Sequence, residues 1–352
     1  MSSVVLLGSG ALARSVCYSL TVSATPMTVT IAARDGDKAA EVAYVGNARA
    51  ALSGSPVRCR SVPSRLTNPL ELSRVLAATR PEIVLLAASL HSPDEAQSAP
   101  STWTRLLERA GFGLTAPLHA VLAITAAQVV AQIDRPRLLI ASFPDVVNPL
   151  IHALGLPVFA GVGNAALLTA SLRAALDVPP RTRVRMLAHH VHLGPPPSSK
   201  DEARAWVDDN PVPDVSSALA SQRATDRCEL NLIAGHSAAL LIRDLLAGTQ
   251  VHTNLPGPLG LPGGYPVRIN GDIRLDLPPD VSEESAVAWN RAAARRDGVD
   301  VDGDQVRFSD RVLEALDPYL PGLADGFPVD ALGTVTDQLL DLRTKLRTAT
   351  DP

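Results

Sequence analysis

Short apolar runs alternate with longer stretches of helical spacing in the first part of the chain. Five runs are rich in aliphatic and β-branched residues and are bounded by polar or turn-forming residues, which is typical of buried strands. They cover residues 4–7, 27–32, 57–62, 83–88 and 138–141. A helical pattern follows each run, so the order predicts βαβ units with right-handed crossovers. We therefore predict an α/β domain with a doubly wound parallel sheet over residues 1–149.

The pattern changes after Pro149, where strands and helices no longer alternate regularly. Apolar residues at helical spacing predict helices near residues 165–176 and over residues 229–246, 282–296 and 329–347. A strand is predicted near residues 184–190, before a proline-rich segment, and extended chain over residues 260–278. Residues 150–352 are therefore predicted to form a mixed α+β domain that binds substrate and forms the dimer contact.

Composition narrows the range of functions. The 352 residues carry a net charge of −4, and no cluster of basic residues is interleaved with aromatic ones, which argues against a nucleic-acid surface. We find no signal peptide and no apolar run long enough to cross a bilayer, so we expect no membrane span. The cysteines Cys17, Cys59 and Cys228 are odd in number and widely spaced, without the spacing of a zinc site or a disulfide framework. These features favour a cytoplasmic protein with a small-molecule substrate.

A glycine-rich segment follows the first predicted strand and opens a helix. It reads Gly8-Ser9-Gly10-Ala11-Leu12-Ala13. In a dinucleotide-binding turn, Gly8 would permit the tight turn, Gly10 would let the backbone approach a pyrophosphate, and Ala13 would allow close helix–strand packing. The helix N-terminus would add N–H groups and a positive dipole. We therefore predict a Rossmann domain, although a glycine-rich turn of no special use remains the alternative.

The end of the second predicted strand bears on the choice between NAD and NADP. An NAD enzyme usually places a carboxylate there against the ribose diol, but this chain has Ala33 followed by Arg34 and Asp35. Because an arginine can pair with a 2′-phosphate, NADP is predicted in preference to NAD. In the alternative, Asp35 reaches the ribose and Arg34 is solvated.

Polar or small residues at the ends of the fourth and fifth runs complete the predicted cofactor site. Ala88 and Ser142 stand there, because ligands bind at the carboxyl ends of the strands in such sheets. The polar stretch 91–100 follows the fourth run, where mobile lids and ligand sites occur.

The order of these segments resembles the lactate and malate dehydrogenase superfamily. Residues 142–147 resemble the family's Ser-Asn-Pro-Val-Asp segment, with Phe143 in the place of the asparagine. Residues 161–164 resemble the glycine-and-asparagine stretch before the substrate helix, and residues 187–190 resemble the strand end that carries the catalytic histidine. The resemblance implies that His190 is the acid/base, that Arg105 is a substrate-loop arginine, and that the helix containing residues 237–239 lies beside the substrate.

The chain also departs from that family where the family holds its substrate. A carboxylate that orients the histidine and an arginine that binds the substrate carboxylate are expected shortly after the glycine stretch. The window here reads Asn164-Ala165-Ala166-Leu167-Leu168. The usual contacts to a 2-hydroxy acid are therefore missing from this window.

The histidines support proton transfer independently of any resemblance. His189, His190 and His192 form the densest histidine group, and strand alternation predicts His190 and His192 on one face. An imidazole titrates near neutrality, so it can give a proton to a developing alkoxide and recover it. A backbone carbonyl, Asn164 or Asp145 are the candidates to orient it. The alternative is that these histidines only form hydrogen bonds in a packed interface.

Two further residues are weighed as parts of the site. His236 stands among glycine and alanine residues of a predicted helix, as beside a bound ligand, or else is a core histidine. It is also the only plausible third ligand if the histidines bound a metal, and we predict no metal. Tyr265 follows a glycine-rich turn and offers its hydroxyl to a substrate, unless that turn is a structural corner.

The sequence as a whole predicts an NADP-dependent reductase of a small carbonyl compound. One alternative is an imine or opine-type reductase on the same scaffold, because the carboxylate-binding pair is missing. The other is a dinucleotide-binding protein without turnover. Homodimers or higher homo-oligomers are expected for such enzymes.

Overall fold

A six-stranded parallel sheet forms the centre of the first part of the chain. The computed structural model describes residues 2–92, 95–133, 136–179, 182–323 and 326–348. The sheet has the order β3-β2-β1-β4-β5-β6, and every pair of neighbours is parallel. Its strands are β1 (Ser2–Leu7), β2 (Met27–Ala33), β3 (Arg58–Pro63), β4 (Ile83–Leu86), β5 (Arg137–Ile140) and β6 (Ala160–Gly161). This is the strand order of a doubly wound dinucleotide-binding sheet, so the predicted Rossmann fold is confirmed.

Helices cover both faces of this sheet. They are α1 (Ala11–Leu20), α2 (Gly36–Leu52), α3 (Pro69–Thr79), α4 (Glu95–Ser98), α5 (Thr102–Ala110), α6 (Ala116–Val130), α7 (Pro144–Ala153) and α8 (Asn164–Ala175). Their starts follow ordinary capping chemistry: Asp35 caps α2 through the Lys38 N–H, Asn68 caps α3, and Ser101 forms a capping box on α5.

The second part of the chain is built from small antiparallel sheets and longer helices, as predicted. Three three-stranded sheets contain β7 (Val184–Leu187), β8 (Arg204–Val207), β9 (Asn210–Pro211), β10 (Val251–Pro256), β11 (Gly264–Asn270), β12 (Asp272–Leu275), β13 (Val299–Asp302), β14 (Gln305–Phe308) and β15 (Phe327–Pro328). The helices are α9 (Val215–Ala218), α10 (Ala220–Ala224), α11 (Arg227–Ala247), α12 (Glu283–Asp297), α13 (Asp310–Leu316) and α14 (Leu332–Thr348).

The two parts are more interwoven than a boundary at residue 149 suggests. β6 joins the parallel sheet from beyond that position. Apolar residues of β13, β14, α13 and α14 lie in the same core cluster as Val5 and Leu7 of β1. The end of the chain therefore packs back onto the first domain.

Two helices meet the length and composition of a membrane span, which the sequence analysis did not foresee. They cover Phe112–Val130 and Arg227–Ala247. The first is mostly buried in the core, and the second packs against α1 along one face. Both are thus accounted for as packing helices of this fold.

Two cysteines that are distant in sequence come together in the core. Cys17 of α1 and Cys59 of β3 are both buried, and their Sγ atoms lie 3.7 Å apart. Gly46 of α2 packs directly on both sulfurs, because a Cβ there would come 2.7 Å from Cys59 Sγ. The thiols are free, and the pair joins α1, α2 and β3 beneath the glycine-rich turn.

Candidate active site

The turn after β1 requires glycine at its first position. Gly8 has φ of +123°, a conformation that L side chains rarely adopt, and a Cβ there would lie 2.8 Å from the Ala87 carbonyl oxygen. It would also touch Ala88, which follows β4. The chain can therefore pass so close to β4 only with glycine here.

Gly10 is different, because nothing in the protein explains its lack of a side chain. Its φ and ψ of −75° and −178° suit any residue, and a Cβ built on it would meet no atom within 4 Å. Gly10 and Ala11 are exposed, and the start of α1 has neither a side-chain cap nor an acidic residue in its first turn. The first N–H groups of α1 thus face open space. This arrangement fits a pyrophosphate.

The end of β2 presents an exposed arginine that has no ion-pair partner among the described residues and a carboxylate that is already engaged. Arg34 is exposed at the carboxyl end of the sheet, whereas Asp35 accepts a hydrogen bond from the Lys38 N–H at 3.0 Å and pairs with its Nζ at 3.4 Å. The pKa of Asp35 is lowered by these contacts, chiefly by the backbone hydrogen bond. Arg34 is therefore available to an anionic group, whereas Asp35 is already engaged by Lys38.

His189 and His190 meet a single carboxylate. Strand β7 ends at Leu187, and the chain then turns into a short 3₁₀ helix over His190–Leu193, so the predicted strand alternation of the histidines is wrong. Asp297 Oδ2 lies 3.0 Å from His190 Nδ1 and 3.3 Å from His189 Nδ1. His190 keeps 22% of its side-chain surface exposed, whereas His189 has none.

The pKa values of Asp297 and His189 both shift in the direction that favours the charged form of each group. Burial alone would raise the pKa of Asp297, yet His190 and His189 hold it well below its usual range. Burial would lower the pKa of His189, but the carboxylates of Asp145 and Asp297 outweigh it and raise that pKa. The carboxylate that orients His190 is therefore Asp297, which the sequence analysis missed.

Asp145 and Asn164, two of the predicted partners of His190, pair with each other instead. The Asn164 Nδ2 donates to Asp145 Oδ2 at 2.6 Å, and its Oδ1 accepts from the Ala165 N–H. Asp145 is completely buried, and burial raises its pKa against the opposing effects of His189 and His190. Both residues are buried and bonded to each other, and neither lines the cleft described below.

Aromatic rings enclose the exposed imidazole. The Phe112 ring stacks on His190 at a centroid distance of 4.2 Å, and Phe143 meets it edge-on at 5.2 Å. Phe143 adopts φ of +49° just before Pro144, a conformation that costs a non-glycine residue about 1–2 kcal/mol. Its buried ring contacts the rings of Phe112, His119, His189 and His190. These contacts compensate for the backbone strain at Phe143.

Two more buried histidines, His119 and His91, extend the site beyond His190. His119 Nδ1 lies 2.8 Å from Ser142 Oγ, and the ring of His91 is 5.5 Å from that of His119. Burial lowers the pKa of His91 to about 4 and that of His119 well below its usual value, so both are neutral at pH 7. His119 Nε2 and His91 Nδ1 have no hydrogen-bond partner among the described residues.

A cleft of about 200 Å³ opens beside these rings. Its lining includes His91, Phe112, Thr115 and Arg227, so it borders the predicted polar stretch 91–100, of which Pro93 and Asp94 lie outside the described residues. A larger open groove of about 820 Å³ runs between α2 and β3 and contains none of the candidate residues. We assign the site to the smaller cleft because His91 and Phe112 line it and contact the rings of His119 and His190.

The last helix of the chain holds the loop at this cleft from outside. The Arg343 guanidinium donates to the Leu90 carbonyl, and Arg347 forms two contacts with the buried carboxylate of Glu95. Helix α14 therefore fixes the segment that leads from β4 into the cleft.

Three predicted site residues lie elsewhere. Arg105 is exposed on α5, and its guanidinium donates to Thr102 Oγ1 at 2.9 Å. His236 is exposed on α11, where the neighbouring Gly235 makes room for Ser15 of α1 rather than for a ligand. Tyr265 is fully buried in the core, and burial raises the pKa of its hydroxyl.

His192 is also separate from the cleft. It is buried, stacks on Trp289 and lies 3.0 Å through Nε2 from the Asp201 carbonyl oxygen. Within the described part of the chain, no group of three or more histidine, cysteine or acidic residues is arranged to hold a metal.

Comparison with known structures shows to which class of fold the protein belongs. No protein-family model and no curated protein matches the sequence. The apo malate dehydrogenase of Picrophilus torridus superposes with a TM-score of 0.59 at 12% identity, covering 84% of this chain and 96% of that one. A lactate dehydrogenase from a Medee basin deep-sea metagenome library gives 0.56 at 15% identity, covering 84% and 97%. The malate dehydrogenase of Archaeoglobus fulgidus in complex with NADH gives 0.56 at 14% identity, covering 89% and 99%.

The chain is thus an α/β protein with a dinucleotide-type sheet and a second part that completes a histidine site. More particularly, it has the fold of the malate and lactate dehydrogenases, as its sequence suggested.

Proposed function

We propose that the protein is a nicotinamide-dependent oxidoreductase that reduces the C=O group of a small molecule. The observation that carries this proposal is the pairing of His190 with Asp297 at 3.0 Å, next to Phe143 at the carboxyl end of β5. The glycine turn lies at the same end of the strands, because β1 and β5 are both parallel to β4. An oriented imidazole and a dinucleotide-type turn on one edge suit hydride transfer coupled to proton transfer.

His190 would supply the proton. When bound, the nicotinamide provides the hydride that reaches the carbonyl carbon. The carbonyl oxygen then gains charge, and the imidazolium of His190 gives it the proton on Nε2 while the Nδ1–H stays bonded to Asp297. The product is an alcohol. In the reverse direction, the neutral imidazole accepts the alcohol proton at Nε2.

The surrounding rings would prepare this step. Phe112 covers one face of His190, and Phe143 closes its edge, so both exclude water from the imidazole. Neutral His119 offers its Nε2, which has no partner among the described residues, to a polar group of the substrate, and its Nδ1 is held by Ser142 Oγ.

Cofactor binding is the first test of this function. We expect NADPH and NADH each to raise the unfolding temperature and to change the protein fluorescence, with NADPH binding more tightly. If neither binds, the proposal is wrong.

Turnover with defined substrates separates the remaining alternatives. A panel of carbonyl compounds with NADPH should show oxidation of the cofactor. The panel should be repeated with added amines, because an imine or opine-type reductase would be active only with both present. Cofactor binding without turnover on either panel would favour the non-catalytic protein.

The Arg34→Ala variant tests the preference for NADP. Charge-assisted hydrogen bonds to a phosphate are worth roughly 1.5–3 kcal/mol, so the variant should weaken NADP binding by about ten- to a hundred-fold and leave NAD nearly unchanged. Titration by fluorescence measures both. Arg58→Ala is the matched control, since Arg58 is an exposed arginine at the start of β3. Equal losses for NAD and NADP would refute the role of Arg34.

We also propose that the protein is a homodimer or larger homo-oligomer in the cytoplasm. Helix α11 exposes Leu232, Ile233 and Leu240, which is more apolar surface than a solvated helix usually shows. Light scattering after gel filtration tests the assembly, and a monomer at micromolar concentration would contradict it.

A further inference from the structure

The Asp297 carboxylate serves two imidazoles through one oxygen. Oδ2 lies 3.0 Å from His190 Nδ1 and 3.3 Å from His189 Nδ1. A carboxylate that only oriented His190 would need one of these contacts. His189 is therefore a second contact of Asp297 that the pairing with His190 does not explain.

His189 cannot itself transfer a proton to a substrate. Its side chain is completely buried, and its Nε2 has no partner among the described residues. The backbone N–H of His189 supports the neighbouring turn by donating to His192 Nδ1 at 2.8 Å. Any influence of His189 on the reaction therefore passes through Asp297.

Charged groups face His189 from several elements. Asp145 approaches from α7 and Asp297 from α12, and both favour its protonated form, while Arg296 of α12 and burial oppose it. His190 and His192 flank it in the chain. The carboxylates prevail and raise the pKa of His189, which favours its protonated form.

We propose that His189 is a positioning residue for the proton donor: a buried imidazolium that holds the Asp297 carboxylate in place and divides its negative charge with His190. This inference rests on the proposed function for its catalytic meaning. With His189 charged, Asp297 stabilises the imidazolium of His190 less strongly than an isolated carboxylate would. His190 then releases its proton more readily to the alkoxide.

The His189→Asn variant removes the charge at this position but keeps a hydrogen-bond donor for Asp297. The asparagine Nδ2 takes the place of the ring Nδ1, so it can still donate to Asp297, but it carries no charge. Loss of the neighbouring positive charge should favour protonated His190. The limb of the pH–rate profile that falls with rising pH should therefore move up by about one pH unit. NADPH affinity should stay unchanged.

His192→Asn is the matched control. His192 is equally buried and two residues from His190, but it does not contact Asp297. We expect no displacement of the limb in this variant. His189→Leu should remove the hydrogen bond as well and lower turnover further than His189→Asn.

A readout that needs no turnover keeps the inference separate from the proposed function. Nitrogen-edited NMR titration of the eight histidines in the ligand-free protein follows His190 directly, and the single variants assign the signals. An upward displacement of the His190 midpoint in His189→Asn, absent in His192→Asn, supports the inference even if no substrate is turned over. An unchanged midpoint, or an equal displacement in both variants, overturns it even if the protein proves to be a reductase.

Discussion

The His190→Asn variant is expected to bind NADPH normally and to lose about a hundred-fold or more in turnover, as follows from the loss of a general acid. The asparagine amide can keep the contact with Asp297, but it has no proton to give from the position of Nε2. The pH–rate limb that depends on this proton should disappear. Steady-state kinetics over pH 5–10, with cofactor titration of the same samples, measures all three effects.

His192→Asn and His236→Asn serve as controls for this result, because neither side chain reaches Asp297 or the cleft. Both should retain turnover within a few-fold. If His236→Asn were the inactive variant and His190→Asn remained active, the proton would come from α11, and the assignment of the site would be wrong.

Gly10→Asp should abolish dinucleotide binding while the protein stays folded. A Cβ at this position meets no protein atom within 4 Å, and the backbone conformation suits any residue, so the free energy of unfolding should change by no more than about 0.5 kcal/mol. The added carboxylate would stand where the start of α1 is expected to receive the pyrophosphate. Fluorescence titration and thermal unfolding of the ligand-free protein test the two halves of this expectation.

Gly10→Ala is the matched variant, since it adds a methyl group without charge. A smaller loss of affinity than in Gly10→Asp would show that both space and charge matter. Unchanged affinity of Gly10→Asp would mean that the dinucleotide does not bind at this turn.

Local signals in the sequence predicted most of the first domain. The runs that became β1, β2, β4 and β5 are largely apolar because these strands are buried on both faces, and such runs are recognisable without neighbours. The glycine turn has a fixed spacing relative to β1, which made Gly8 and Gly10 identifiable. β6 escaped prediction because it has only two residues in the sheet.

The partner of His190 was harder to predict, because it lies 107 residues away in the chain. Asp297 ends α12 and precedes Gly298, so it read as a helix terminus. One signal was nevertheless present: a carboxylate at a helix C-terminus opposes the helix dipole and is unfavourable unless something compensates it. Here the two imidazoles do so. Phe112 and His119 gave no such signal, since apolar helical patterns contain rings of this kind for packing alone.

Arg105 and His236 lie away from the cleft for a related reason. Arg105 was chosen from its order along the chain relative to a family pattern and His236 from the small residues beside it, and neither signal determines which face of a helix turns inward. The small residues around His236 turned out to serve the crossing of α11 with α1 at Gly235.

The contacts that α14 makes with Leu90 and Glu95 have a practical consequence for handling the protein. A fusion partner joined just after α14 would stand close in sequence to Arg343 and Arg347, the residues that secure the rim of the cleft. We expect such a fusion to alter access of small molecules to His190, although it lies far away in the sequence. β1 begins at the opposite edge of the parallel sheet from the glycine turn. A label joined just before β1 should therefore disturb the cleft less than one joined after α14.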